Sequence, residues 1–169
     1  NREEEAAKVY EAVLARSPKN QEPYLYLGTL YAKQGKFDQA VAVLGKLLNA
    51  NPGSILGLYY LGQVHAAANQ LSKAESYYQK ALKLNPNSEI VLLDLALIFE
   101  LQKKPARAME IYQKALSLNP QSTQVRKRLG RFYLDQKKLD EALLQYRELE
   151  KVEADPQETR VKISLIYRE

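Results

Sequence analysis

Proline recurs in this chain at one fixed interval, and that period limits the folds open to the sequence. Four prolines stand 34 residues apart, at Pro18, Pro52, Pro86 and Pro120. The last three each follow an asparagine. Because a residue before proline is pushed out of the α region, we expect a helix to end at each of these sites. A fixed period of this length is typical of stacked repeat units, which bury their apolar faces only against their neighbours.

Two further patterns recur with the same period. Leucine precedes a small residue at Leu27-Gly28, Leu61-Gly62, Leu95-Ala96 and Leu129-Gly130. An alanine stands four positions before a large side chain in the pairs Ala6 and Tyr10, Ala40 and Leu44, Ala74 and Tyr78, Ala108 and Tyr112, and Ala142 and Tyr146. Apolar residues at helical spacing predict two helices per repeat, a first helix such as Glu22–Lys33 and a second helix such as Asp38–Leu48. We expect the glycines to mark the closest approach of paired helices, and the small alanines to face them.

This set of motifs resembles the tetratricopeptide repeat (TPR) family, whose repeat carries a Leu-Gly pair, two aromatic positions, an alanine and a proline. The resemblance implies an all-α fold, a right-handed α-solenoid (superhelix) of stacked antiparallel helix pairs with a concave groove. Pro156 departs from the pattern by falling two residues late, and Ala96 and Ser164 replace the glycine. The expected array covers residues 1–169 as a segment of a longer chain, with partial repeats at 1–20 and 157–169 and full repeats at 21–54, 55–88, 89–122 and 123–156.

The turns between paired helices differ in residue type. Gly35 and Asn69 tolerate the left-handed backbone that a tight turn often needs, whereas Lys103 and Lys137 do not favour it. Pro105 suits the first turn of the helix after Lys103. The sequence therefore favours a left-handed turn at Gly35 and Asn69 but not at Lys103 and Lys137.

Tyrosine is unusually frequent, with 12 tyrosines against three phenylalanines and no tryptophan. Eight occupy packing positions of the repeat: Tyr10, Tyr24, Tyr31, Tyr78, Tyr112, Tyr133, Tyr146 and Tyr167. Of the other four, Tyr77 lies on a second helix and is predicted to pack or to face outward. Tyr26, Tyr59 and Tyr60 lie on first helices, at positions that line the groove in the family.

The resemblance implies a binding surface made of first-helix residues off the packing face. The predicted groove residues are Leu25, Tyr26, Leu56, Tyr59, Tyr60, Gln63, Leu93, Asp94, Leu97, Lys127, Arg128 and Arg131. This surface is apolar and aromatic in its first three repeats and basic in the fourth, which predicts a protein partner with an apolar or aromatic segment next to acidic residues or a terminal carboxylate. The alternative is that the superhelix covers these apolar residues and that 126–131 is an ordinary solvated face.

Several classes of function are disfavoured by composition and motif. The chain has no cysteine, which excludes disulfides and thiolate ligands, and its single histidine, His65, occupies a packing position of the repeat. We identify no catalytic set, metal site, cofactor site or phosphate-binding glycine loop, and no apolar run long enough to span a bilayer. The net charge of +5 is mild, and aromatic and basic residues are segregated rather than interleaved, which disfavours nucleic acid.

The sequence thus predicts a non-catalytic scaffold for protein–protein interaction. The alternative is a regulatory or substrate-positioning array of a larger multidomain enzyme or assembly complex. The lysine and asparagine set with which some TPR proteins clamp chaperone C-termini is incomplete here. Self-association through the uncapped terminal helices is a further alternative, since Ile163, Ile166 and Tyr167 have no following helix in this sequence.

Overall fold

The computed structural model describes residues 2–168, and these form α-helices joined by short turns, with no strand among them. The helices are α1 (Arg2–Arg16), α2 (Gln21–Lys33), α3 (Phe37–Ala50), α4 (Ile55–Ala67), α5 (Leu71–Leu84), α6 (Glu89–Leu101), α7 (Pro105–Leu118), α8 (Thr123–Asp135), α9 (Leu139–Glu150) and α10 (Gln157–Ile166). The predicted helices 22–33 and 38–48 match α2 and α3 to within two residues. The chain divides into two compact units, the first ending at Lys103 and the second beginning at Lys104.

The ends of the helices follow from local chemistry. The second helices α3, α5 and α7 stop at Asn51, Asn85 and Asn119, each of which has a non-helical backbone before its proline. The first helices α4 and α8 begin at a serine whose hydroxyl accepts a backbone N–H of the first turn, from Gly57 for Ser54 (3.0 Å) and from Val125 for Ser122 (3.2 Å). Sequence thus determines where one repeat ends and the next begins.

The core of the first unit lies between consecutive helices. Ala40, Leu44, Leu61 and Val64 form a buried cluster that joins α3 to α4. Its edges are closed by half-buried residues that include Leu25, Tyr31 and Tyr60. The first-helix face of this unit therefore rests directly on the repeat core.

In the second unit, a buried cluster is formed by Ala142, Tyr146, Leu149 and Ile166, and all of these except Leu149 repeat the positions of Ala40, Leu44 and Val64. Ile166 of α10 is buried against α9, although the sequence suggested that it would lack a partner. Tyr167, predicted to occupy a packing position, is 58% exposed, because no helix of the described chain follows α10. That prediction is wrong for Tyr167.

The glycines do mark the close helix crossings, but their contacts differ from the expectation. A Cβ at Gly62 would lie 2.6 Å from Cδ1 of Tyr78, and one at Gly130 would lie 3.0 Å from Cζ of Tyr146. The nearest side chain is thus the aromatic residue four positions after the repeated alanine, not the alanine itself. A flat ring fills the space above the glycine, while Ala74 and Ala142 are fully buried beside it.

Candidate functional site

The predicted binding residues of the first unit lie on α2, α4 and α6. Three leucines and an isoleucine on α4 and α6 are large apolar side chains that remain 42 to 55% exposed: Leu56, Ile90, Leu97 and Leu101. We call these four residues the apolar face. Exposed apolar side chains of this size on neighbouring helices are typical of surfaces that bind another protein.

Tyr59 links α4 to α6 beneath the apolar face. Its side chain is only 8% exposed, and its hydroxyl donates to Oδ2 of Asp94 (3.0 Å) while accepting from Nε2 of Gln63 (2.7 Å). Its ring meets that of Tyr60 edge-on at 5.6 Å and lies 6.0 Å from the ring of Tyr78. Tyr59 therefore forms the floor of the surface, as does Leu93, which is also buried.

Tyr26 and Leu25 of α2 lie at the start of the predicted surface. The ring of Tyr26 stacks on that of Tyr10 at 4.2 Å, which fixes it against α1 and leaves it half-buried. Leu25 packs against the cluster that contains Leu44. Tyr26, Tyr59 and Tyr60 thus pack against their own neighbours. The exposed apolar area comes mainly from the four aliphatic residues of the apolar face.

The predicted binding residues of the second unit lie on α8 and are basic. Lys127 forms an ion pair with Glu153 (2.5 Å), and Arg131 lies 3.8 Å from Asp135. Together with Arg128 they line a cavity of about 220 Å³, whose other walls come from Tyr146 and from residues of α10, namely Glu158, Thr159 and Lys162. We call this the basic cavity. Four of its seven lining side chains are cationic and one is acidic, so it favours an anionic group.

Sequence reasoning missed Glu153 and Thr159, two residues that shape the basic cavity. Glu153 lies in the connection between α9 and α10, and its carboxylate contacts both Lys127 and the hydroxyl of Thr159 (2.5 Å). Burial opposes ionisation of Glu153, but hydrogen bonds from Lys127 and Thr159 and the charge of Lys127 outweigh it, so its pKa lies below the ordinary value. The available signal was the late position of Pro156, which marks a departure from the repeat in this connection.

His65 is buried, as the repeat predicted. Its Nδ1 donates to Oε1 of Gln70 (2.8 Å), and its ring stacks on that of Tyr77 at 5.2 Å. Burial lowers the pKa of His65; the hydrogen bond to Gln70 opposes this effect and the charge of Lys73 adds to it. His65 therefore closes the turn between α4 and α5, and Tyr77 is a packing residue.

Two other features of residues 2–168 bear on function. No group of three or more histidine or acidic residues in this part of the chain is arranged to hold a metal ion. None of the described helices combines the length and the apolar character that a membrane span requires.

Comparison with protein families agrees with the repeat seen in the sequence and in the helices. A tetratricopeptide repeat model matches residues 1–59 and 99–162, and a second tetratricopeptide repeat model matches residues 59–123. The chain belongs to the tetratricopeptide repeat family. Proteins of this family are generally non-catalytic scaffolds that bind other proteins or peptides. No curated protein shows a significant match to the sequence.

Solved structures give the same fold. A crystal structure of MamA is 25% identical with a TM-score of 0.73, over 93% of this chain and 90% of MamA. TTC0263, a thermophilic TPR protein of Thermus thermophilus, is 23% identical with a TM-score of 0.78, over 99% of this chain and 92% of TTC0263. YrrB, described as a TPR protein with an unusual peptide-binding site, is 20% identical with a TM-score of 0.70, over 96% of this chain and 84% of YrrB. The predicted fold class, an all-α solenoid of helix pairs, is confirmed.

Proposed function

We propose that this chain is a non-catalytic interaction module that binds a segment of a partner protein through the first helices of its repeats. The apolar face of the first unit takes apolar or aromatic side chains of the partner. The basic cavity of the second unit takes acidic side chains or a terminal carboxylate. The observation that carries the proposal is the exposure of Leu56, Ile90, Leu97 and Leu101 at positions that the packing of the repeat does not use.

The contribution of each predicted residue follows from its burial. The exposed residues Leu56 and Leu97 contact the partner directly, together with the half-exposed edge of Tyr60. Buried Tyr59 and Leu93 support them from below, and the hydrogen bonds of Tyr59 fix α4 relative to α6. A surface held in place before binding loses less entropy when a partner docks.

The basic residues supply selectivity rather than area. Lys127 and Arg131 keep 44% and 81% of their side-chain surface exposed, so they attract an acidic segment while remaining hydrated. Charged groups of this kind raise association rates and reject basic partners. The presence of a peptide-binding site in YrrB, which shares the fold, is consistent with this use of the repeat.

A comparison of matched variants tests the proposal. Leu97→Asp places a charge on the apolar face, and Leu144→Asp places the same charge on an exposed leucine of the second helix α9. Likewise, Arg131→Glu reverses a charge at the basic cavity, and Lys114→Glu reverses one on the exposed surface of α7. Partner proteins that bind to the parent chain and to each variant are quantified by mass spectrometry. Circular dichroism confirms that each variant is folded.

We expect the same partner to be lost with Leu97→Asp and Arg131→Glu and to be retained by both control variants. Recovery that is equal for all five chains would overturn the proposal, because neither surface would then contribute to binding. Loss with the α9 and α7 variants instead would place the binding surface on the second helices.

A further inference from the structure

The connection between α9 and α10 differs from every other connection that leads into a first helix. Four residues join the earlier pairs, at 17–20, 51–54, 85–88 and 119–122, whereas six join this one, at 151–156. The earlier connections end in Asn20 or a serine, whereas this one ends in Pro156, whose side chain has no polar group that could cap α10. The extra length comes from the end of α9, which stops two residues earlier than α7 does one repeat before, since α10 begins 34 residues after α8.

What the longer connection does is to place the carboxylate of Glu153 beside the basic cavity. Its two oxygens are both used, one by Nζ of Lys127 on α8 and the other by the hydroxyl of Thr159 on α10. The Glu153 side chain is only 10% exposed, whereas the acidic partners in four other ion pairs of this unit, Asp135, Glu148, Glu150 and Glu158, are 33 to 76% exposed. Glu153 is thus held in a site, unlike an ordinary surface ion pair.

The two groups that hold Glu153 both line the basic cavity. A lysine ammonium and a threonine hydroxyl on two adjacent first helices form a donor pair that fits one carboxylate. In this structure the chain itself supplies that carboxylate. An acidic group of a partner that enters the cavity meets a lysine that is already neutralised.

We infer that Lys127 and Thr159 form a carboxylate-binding site, that Glu153 is its internal ligand, and that an acidic residue or C-terminal carboxylate of a partner binds by displacing Glu153. The inference rests on the proposed function and identifies which cation of the basic cavity the partner uses. Exchange of one carboxylate for another keeps Lys127 paired with a negative charge. Because a partner must first displace Glu153, the internal contact lowers the affinity of every partner for this site. Weakly acidic or neutral segments then no longer compete for it.

The test uses three variants of the full chain and one probe, a fluorescein-labelled peptide of sequence Leu-Leu-Asp-Glu-Glu-Asp with a free C-terminus, followed by fluorescence anisotropy. Glu153→Gln removes the competing charge, Lys127→Ala removes the cation, and Glu148→Gln is a matched control because Glu148 also pairs with a lysine, Lys151, outside the cavity. We expect Glu153→Gln to bind the peptide about tenfold more tightly and Lys127→Ala about tenfold more weakly, as for loss of one charged hydrogen bond. Glu148→Gln should match the parent chain.

The two substitutions are expected to change peptide affinity in opposite directions, although Glu153→Gln and Lys127→Ala break the same ion pair. If that pair only stabilised the fold, both substitutions would change binding in the same direction, and this result would overturn the inference. Weakening by Lys127→Ala with no effect of Glu153→Gln would overturn it too, while leaving the proposed function standing. Absence of peptide binding by all four chains would overturn the inference and the second-unit part of the proposed function together.

A measurement on the unaltered chain keeps the test independent of variant folding. The pKa of Glu153 is followed by carbon-13 NMR in the absence of peptide and at saturation. We expect saturation to raise the pKa of Glu153 towards its ordinary value, since Lys127 and Thr159 then hold the peptide carboxylate. An unchanged pKa at saturation would show that the peptide binds elsewhere.

Discussion

In the first unit the exposed positions of α6 carry Ile90, Leu97 and Leu101, whereas the residues 34 positions later on α8 in the second unit are Gln124, Arg131 and Asp135. Other positions keep their character in both helices, among them Leu95 and Leu129. Both leucines are almost completely buried, and both follow the period of the repeat.

This difference separates the positions of the repeat that packing constrains from the positions that it leaves free to vary. Buried positions must fill a fixed space between helices, so their size is constrained in each copy of the repeat. Exposed positions contribute little to packing, so their chemistry is free to change from apolar to basic. We therefore expect the two units to differ in what they bind. We expect substitutions at equivalent core positions to change the free energy of unfolding by similar amounts in both units.

The largest effect should come from the aromatic residue that covers the glycine in each unit. Tyr78→Ala and Tyr146→Ala each remove a ring that is 2% exposed and should lower the free energy of unfolding by about 3–5 kcal/mol. Urea denaturation followed by circular dichroism measures the loss. Tyr167→Ala is the control, since Tyr167 is exposed, and a loss there as large as at Tyr78 would contradict the burial argument.

A smaller effect should distinguish the helix crossings of the two units. The added methyl of Gly62→Ala meets Cδ1 of the Tyr78 ring at 2.6 Å and should cost about 1–3 kcal/mol. Gly130→Ala should cost less, because the Tyr146 ring lies at 3.0 Å or more. Gly45→Ala, in α3 with open space around the new methyl, should instead stabilise the chain by up to about 1 kcal/mol. Equal costs at Gly62 and Gly130 would mean that the two crossings are equally tight.

Helix capping should show an effect that is the same in both units. Ser54→Ala and Ser122→Ala each remove a hydroxyl that accepts a first-turn N–H and should cost about 1 kcal/mol. Ser88→Ala is the matched control, because the side chain of Ser88 makes no cap hydrogen bond to α6. Thermal melting of the three variants checks the order, and a Ser88 variant as unstable as the Ser54 variant would contradict it.

The smallest effect should be a pH dependence confined to the first unit. Since burial lowers the pKa of His65, the unfolded chain binds a proton more readily than the folded chain. Stability should therefore fall as the pH drops through about 6.5, the ordinary value for histidine, and level off below the lower folded value. Melting curves between about pH 8 and pH 5.5 for the parent and for His65→Phe, which carries the residue found at position 99, measure the difference. An identical pH dependence in the two chains would contradict the assignment.

Much of the fold was open to prediction because its signals are local and repeated. The 34-residue proline period, the Leu-Gly pairs and the helical spacing of apolar residues predicted the helix pairs and the buried state of His65, Tyr78, Tyr112 and Tyr146. The candidate surface was only partly open to prediction. Helical phase correctly separated Leu56 and Leu97 as exposed residues but placed Tyr59 and Leu93 with them, although both are buried.

The turns show where local preference is overruled. The lysines Lys103 and Lys137 adopt φ of 58°, in the left-handed region that the sequence did not favour for them, alongside Gly35 and Asn69. A non-glycine residue in that region costs about 1–2 kcal/mol, so local preference alone disfavours these two turns. The positions of these turns were therefore predictable, whereas the left-handed conformation of the two lysines was not.

The sequence by itself determined the repeat, the helix pairs and the change from an apolar to a basic surface, since each depends on residue type at a fixed spacing. Only the tertiary structure decided that the hydroxyl of Tyr59 donates to Asp94, that the rings of Tyr78 and Tyr146 cover Gly62 and Gly130, and that Glu153 pairs with Lys127. Those contacts join residues far apart in the chain, and their geometry depends on the crossing of whole helices. Spacing along a sequence specifies which face a side chain occupies, but not which atom from another helix it meets there.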